Sequence, residues 1–140
     1  MDTSERYIRM CGQADDMQEV WKPQDFDVVM GEYVSTIKEW KVVQGIGEAS
    51  IKPFFTTAGK WAWYRRDELI WLPRQDELQA LADFDVWYDA ITTLYHWNAK
   101  TEHGANDDEV GSMEQVWLRF YMDTVHSKWW DETRSKWVEK

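Results

Sequence analysis

Tyr7, Cys11, Ala14, Met17 and Trp21 recur at steps of four, three, three and four, which is one face of an α-helix. Asp15, Asp16 and Glu19 fall mostly off that face. Capping side chains stand at Asp2, Thr3 and Ser4, with an early acid at Glu5, and Pro23 stops the pattern. The pattern predicts a helix over about residues 4–21. Residues 26–34 are rich in β-branched and aromatic types and read as a strand. Ile37 to Gln44, with Trp40, Val42 and Val43, is a second and weaker strand candidate. Gly45, Gly47, Pro53 and Gly59 punctuate the next stretch, so Gly45 to Gly59 reads as a mobile loop.

Alternation then returns. In Lys60-Trp61-Ala62-Trp63-Tyr64-Arg65-Arg66, Trp61 and Trp63 share one face of a strand. Asp67 and Glu68 read as a turn, and Leu69 to Leu72 as a short buried strand ended by Pro73. The two runs are expected to pair as a hairpin. After Pro73 the period changes. Leu78, Leu81, Phe84, Tyr88, Ile91 and Tyr95 trace a helical face, with Asp76 and Glu77 in the first turn, where acids favour the helix dipole. One long helix and two helices broken near Asp83 to Asp85 fit equally. Asn98 to Gly111 is a polar loop. Ser112 and Gln115 match a capping box, and Met113, Val116, Trp117, Phe120, Tyr121, Val125 and Trp129 continue a helix over about 112–130. The tail after Asp131 is charged but keeps Trp137, which lets it dock. The expected fold is α+β: an N-terminal helix, a small mostly antiparallel sheet and C-terminal helices packed on it, in one domain over 1–140.

Composition sharpens this picture. The chain has 140 residues, enough to bury roughly 68% of the surface its unfolded form exposes. Eleven tryptophans imply an aromatic core and some exposed aromatic surface, which usually means a partner. Cys11 is the only cysteine, so an intrachain disulfide and a multi-cysteine zinc site are excluded. That usage fits a reducing cytoplasm. The charged stretch Met1 to Met10 predicts no signal peptide, and no apolar run approaches the ~20 residues that span a bilayer. The net charge is −10, which disfavours duplex DNA as a partner. Charge is uneven: residues 35–75 hold seven bases against four acids, between acidic flanks.

Most catalytic chemistries find no support. Cys11 sits on the apolar helical face and reads as a small buried hydrophobe rather than a reactive thiolate. No nucleophile elbow occurs. His96, His103 and His126 never stand three or four residues apart, so no helical metal pair exists. The Asn106 to Glu109 run lacks the spacing and glycine of an EF-hand loop. Gly45-Ile46-Gly47-Glu48 lacks the third glycine of a dinucleotide fingerprint. No carboxylate pair is marked as acid and base. The expectation is therefore a non-enzyme with no cofactor and no metal.

Two interaction candidates remain. Trp61, Trp63, Arg65 and Arg66 interleave aromatics with bases, a pattern that can stack on unpaired nucleobases; it also describes a half-buried strand with a basic corner. Trp129, Trp130 and Trp137 form a C-terminal cluster. On a helix the first two project about 100° apart, so one is expected to be exposed as an anchor, or to pack on the tail through Trp137.

Three segments carry a resemblance. They are Glu5-Arg6-Tyr7-Ile8-Arg9-Met10-Cys11-Gly12-Gln13-Ala14, Ile70-Trp71-Leu72-Pro73-Arg74-Gln75-Asp76-Glu77-Leu78-Gln79 and Ser112-Met113-Glu114-Gln115-Val116-Trp117-Leu118. Together they resemble a group of small phage and prophage proteins with a Trp-Leu-Pro-Arg-Gln-Asp motif, over most of the chain except 35–60. The resemblance implies a bacterial cytoplasmic setting and assigns no activity and no functional residue. Within the motif, Arg74, Gln75 and Asp76 suit a strand-to-helix junction. The expected role is non-catalytic protein–protein interaction, marked by a contiguous exposed aromatic patch. The alternatives are an acidic decoy of a DNA-binding protein, with acids aligned on one face, and single-stranded nucleic-acid binding through 60–66.

Overall fold

The computed structural model describes residues 1–31, 33–42, 49–54, 64–84, 87–100 and 111–140. The fold is α+β, as the patterning predicts, but several elements begin and end elsewhere. The first helix is two: α1, Glu5–Gly12, and α2, Asp15–Val20. Ser4 caps α1 by accepting the Tyr7 N–H at 3.2 Å. The chain breaks at Gln13 and Ala14, where Ala14 leaves helical geometry at φ −91°, ψ 65°. The apolar face survives the break, since Tyr7, Cys11, Ala14, Met17 and Trp21 are all buried.

The strand read at 26–34 also divides, into β1, Val28–Met30, and the start of β2, Val34–Val42, which pairs with it antiparallel. The reversal falls at Gly31, where a Cβ would lie 2.9 Å from Leu69 Cδ2, so a larger residue would have to displace the Leu69 side chain. The expected loop at 45–59 contains β3, Ala49–Phe54, whose remaining neighbours lie outside the described residues. Pro53 lies inside this strand, where proline is disfavoured. It pairs opposite Ile37, and the register slips between Ile37 and Glu39, because proline cannot supply a ladder N–H.

Among the described residues, the expected hairpin between 60–66 and 69–72 is not formed. β4, Tyr64–Arg65, pairs with β3, whereas β5, Ile70–Trp71, pairs with β1. They are the two edges of a five-stranded sheet ordered β4-β3-β2-β1-β5. A single 3₁₀ turn, Arg66–Glu68, links them. Five residue steps from Arg65 to Ile70 reach about 17 Å. Four flat strand spacings would need about 19 Å. The sheet therefore curls, which brings Tyr64 within 3.8 Å of the Gly31 Cβ position.

One side chain closes the β5 edge. The Gln18 amide donates to the carbonyls of Trp71 (3.0 Å) and Cys11 (3.1 Å) and accepts the Trp71 N–H at 2.9 Å. It thereby replaces a sixth strand and ties α2 to the sheet. Gln18→Ala strips partners from three partly buried backbone groups and should cost about 2–3 kcal/mol, read as a lowered urea midpoint.

Two helices follow, not one: α3, Gln75–Leu81, and α4, Trp87–Lys100. The break holds Asp83 at φ 63°. Helix α5 is Met113–His126, shorter than the expected 112–130, because Ser127 turns left-handed at φ 54°. The chain then forms a hairpin of β6, Lys128–Asp131, and β7, Lys136–Glu139. Half of the capping box at Ser112 forms, with Ser112 Oγ accepting the Gln115 N–H. The Gln115 side chain instead binds Arg6 and Asp2 across the interface with α1. Trp117, Leu118 and Met122 of α5 are among the largest fully buried side chains, together with Tyr7, Met10, Met17, Ile37, Leu72, Leu78 and Val29.

Candidate functional site

The C-terminal tryptophans are set by strand geometry, not helix geometry. Trp130 and Trp137 are register partners on one face of the hairpin, their rings 5.2 Å apart at 63°. The Trp137 indole donates to the Met10 carbonyl at 2.9 Å. Trp129 points to the other face and is half-buried. The hairpin is pinned further by Glu132, which accepts from Arg6 and Arg119, and by Lys128 on Asp16. The hydrogen bond from Lys128 holds the Asp16 carboxyl below its usual range. This is the tail-docking arrangement, and it joins the hairpin to α1 and α2.

Arg65 and Arg66 border an open cleft of ≈ 580 Å³ between α2 and the β4–β5 connection, with Asp15, Glu19 and Asp67 on its rim. The Arg66 guanidinium donates to the Gln18 and Glu19 carbonyls at 2.5 and 3.0 Å. It lies 5.9 Å over Trp21, whose other neighbour is the parallel ring of Trp71 at 6.0 Å. Arg65 reaches Asp67 at 2.8 Å. Both cations thus serve local contacts first, and the rim is acidic. Trp61 and Trp63 lie outside the described residues, as do His103 and the Asn106 to Glu109 run.

The aromatic surface appears on α4. Tyr88, Ile91 and Tyr95 are 63%, 49% and 70% exposed. They stand at i, i+3 and i+7, so they form one continuous stripe. The sequence pattern placed these residues on the core-facing side of one helical face with Leu78 and Leu81. That placement is corrected: the break near Asp83 turns α4, and Ala90, Leu94 and Trp97 face inward instead. Trp97 donates to Asp123 of α5 at 2.6 Å, fixing the rotation. Among the 14 residues of α4 only Asp89 and Lys100 carry charge, one near each end. A charge-poor centre with aromatic residues is the composition of an interface core.

A carboxyl pair also emerges that spacing could not mark. Asp27 is buried and accepts from the Trp21 indole (2.8 Å) and the Gln24 N–H (2.9 Å). The Glu77 carboxyl hydrogen-bonds to that of Asp27. Burial raises Glu77 to about 7 despite the Arg74 backbone N–H and guanidinium beside it, and the Asp27 charge adds to the rise. Glu77 is the third residue of α3 and closes a capping box on Arg74. An arginine at the N-cap hides that signal in the sequence. Arg74 and Asp76 do meet at the strand-to-helix junction, at 3.2 Å. Among the described residues no group of three or more His, Cys, Asp or Glu side chains is placed to hold a metal ion, and no helix is long and apolar enough to cross a membrane. Cys11 is fully buried, and burial pushes its thiol far above the usual range.

No family model, curated protein or solved structure matches the chain.

Proposed function

We propose that this chain is a non-catalytic accessory protein that works by protein–protein contact through the outward face of α4. The observation that carries this reading is the exposed stripe Tyr88, Ile91 and Tyr95, with charge only toward the helix ends. Aromatic and large aliphatic side chains standing out of a small chain lose water most favourably against another protein surface. The phage or prophage setting in a bacterial cytoplasm belongs to the same proposal and rests on the resemblance of the Ile70 to Gln79 motif and its flanking segments.

The test is capture from nuclease-treated bacterial lysate on tagged wild-type chain and on a Tyr88→Lys/Tyr95→Lys double variant. Both side chains are exposed, so the variant should melt with the wild type. The expected result is a protein held by the wild type and lost on the variant. Equal capture by both removes α4 from the role. Capture that disappears on nuclease treatment transfers the role to single-stranded nucleic acid and residues 60–66.

A further inference from the structure

We infer that Asp27 and Glu77 form a latch closed by one shared proton, and that loss of this proton frees the turn carrying Phe26 from the first turn of α3. The latch gives the Trp71-Leu72-Pro73-Arg74-Gln75-Asp76 motif a physical role, and it is independent of the outward face of α4.

The two carboxyls are not held equally. Asp27 is buried, and both of its donors, the Trp21 indole and the Gln24 N–H, meet Oδ2. Oδ1 is left for Glu77. The Asp27 backbone is fixed as well, since its carbonyl accepts the Ile37 N–H at 2.8 Å. Glu77 stands in the first turn of α3 and keeps a path to water. Two carboxylates that share a site repel once both are ionised. When the proton leaves for solvent, Asp27 stays with its two donors and Glu77 swings outward.

That movement reaches Phe26 through Arg74. Glu77 accepts the Arg74 backbone N–H at 2.7 Å and meets its guanidinium at 3.2 Å. The same guanidinium donates to the Phe26 carbonyl at 3.4 Å. An outward Glu77 uncaps the Arg74 N–H and draws the guanidinium away from Phe26. Phe26 sits at φ 74°, a left-handed conformation that a residue with a Cβ keeps only where its neighbours enforce it. Its N–H remains on the Ile37 carbonyl at 2.8 Å, and the Arg74 contact is the tie on its carbonyl. The Phe26 side chain is exposed, so the proton controls the shape of an aromatic surface.

Arg74 and Asp27 are the charged groups that face Glu77, and Asp76 also meets Arg74. Helix α5 packs on α3 but engages its charges elsewhere: Arg119 on Glu132, Asp123 on Trp97 and Lys140, and Glu114 on the N-terminal amine. Burial first, and then the Asp27 charge, holds the Glu77 carboxyl at about 7. The latch is therefore closed below neutrality and open above it.

A nuclear magnetic resonance titration of the ¹⁵N-labelled full chain, from about pH 5.5 to 8.5, tests this. The Trp21 indole and Gln24 N–H signals should move together with a midpoint near 7. Water exchange of the Arg74 amide should rise about 10-fold more between pH 6 and 8 than that of amides in the middle of α5. Glu77→Gln has no proton to lose and should hold both readouts flat. Asp27→Asn keeps an acceptor for Trp21 and Gln24 and turns an amide donor toward Glu77, so Arg74 should stay protected at pH 8. Wild-type signals that do not move between pH 6 and 8 overturn the latch, as does a transition that persists in Glu77→Gln. Movement of the Trp21 signal without faster Arg74 exchange overturns the opening. Opening of Asp27→Asn at pH 8 overturns the repulsion between carboxylates as its cause. If Asp27→Asn does not fold, the comparison of wild type with Glu77→Gln decides alone.

Discussion

Trp117→Ala should destabilise the fold by about 3–5 kcal/mol, a large part of the 5–15 kcal/mol that typically holds a domain together. Trp117 is fully buried in the second turn of α5. Its ring meets Phe120 at 5.5 Å and Phe84 at 6.0 Å, both edge-on. Alanine would leave a cavity the size of an indole between α5 and the segment that follows α3. The rigid neighbours on both sides can close only part of it, so the transfer and cavity costs add. Trp117→Phe should cost far less, about 1 kcal/mol. It keeps an aromatic ring in the edge-on cluster, and the indole N–H finds no hydrogen-bond acceptor among the described residues. Urea denaturation separates the two: the alanine midpoint falls steeply with an unchanged slope, and the phenylalanine midpoint barely moves. Equal losses for both variants would mean that the indole N–H, and not the ring volume, holds this site.

Glu77→Gln should flatten the pH dependence of stability between about pH 5 and 8. In the folded chain the Glu77 carboxyl is raised to about 7, against an ordinary value of 4.5. Between these values the unfolded chain has released the proton and the folded chain still holds it. The folded state therefore binds more protons, and stability falls as pH rises. The contribution is fully present below about 4.5 and is lost once pH passes about 7. Its size is on the order of 3 kcal/mol. The Glu77 side chain is only 17% exposed, so solvent screening is limited.

Glutamine copies the protonated acid at this position. Its amide can donate to Asp27, and its carbonyl can accept the Arg74 N–H that Glu77 accepts at 2.7 Å. Above pH 7 the variant should be more stable than the wild type, and near pH 4.5 the two should coincide. Other carboxyls act with the opposite sign at lower pH. Asp16 is held low by Lys128. Burial tends to raise Asp2 and Glu132, but hydrogen bonds from Ser112 and from Arg6 outweigh it and leave both lowered. Their contributions vanish as pH falls, in wild type and variant alike. The difference between the two profiles therefore isolates Glu77. Parallel profiles from pH 5 to 8 would show that Glu77 is ionised throughout.

Faces were legible in this chain, and ends were not. Tyr7, Cys11, Ala14, Met17 and Trp21 were recognisable as one buried stripe because apolar spacing reports burial directly. The break between α1 and α2 follows Gly12, a residue that favours helix ends, but the unbroken apolar spacing from Tyr7 to Trp21 masked that signal. The α4 stripe shows the converse failure. Tyr88, Ile91 and Tyr95 have core-like spacing, but spacing does not say which side of a helix meets the core. That depends on how Asp83 turns the chain and on Trp97 reaching Asp123. The tryptophan pair at 129–130 changed meaning in the same way. A left-handed Ser127 converts helix to strand, and alternation places Trp130 against Trp137.

Local physical chemistry, written in the sequence, determined the α+β class, the caps at Ser4 and Ser112, the buried Cys11 and the acidic surface. These follow from residues a few positions apart, whose energies do not depend on distant neighbours. Tertiary structure alone decided strand pairing, the direction each α4 face points, the Gln18 closure of the sheet edge and the meeting of Asp27 with Glu77. Each joins residues far apart in the chain. Such contacts form only when burial of the whole core repays the entropy of bringing distant segments together, and no local pattern encodes which segments those are.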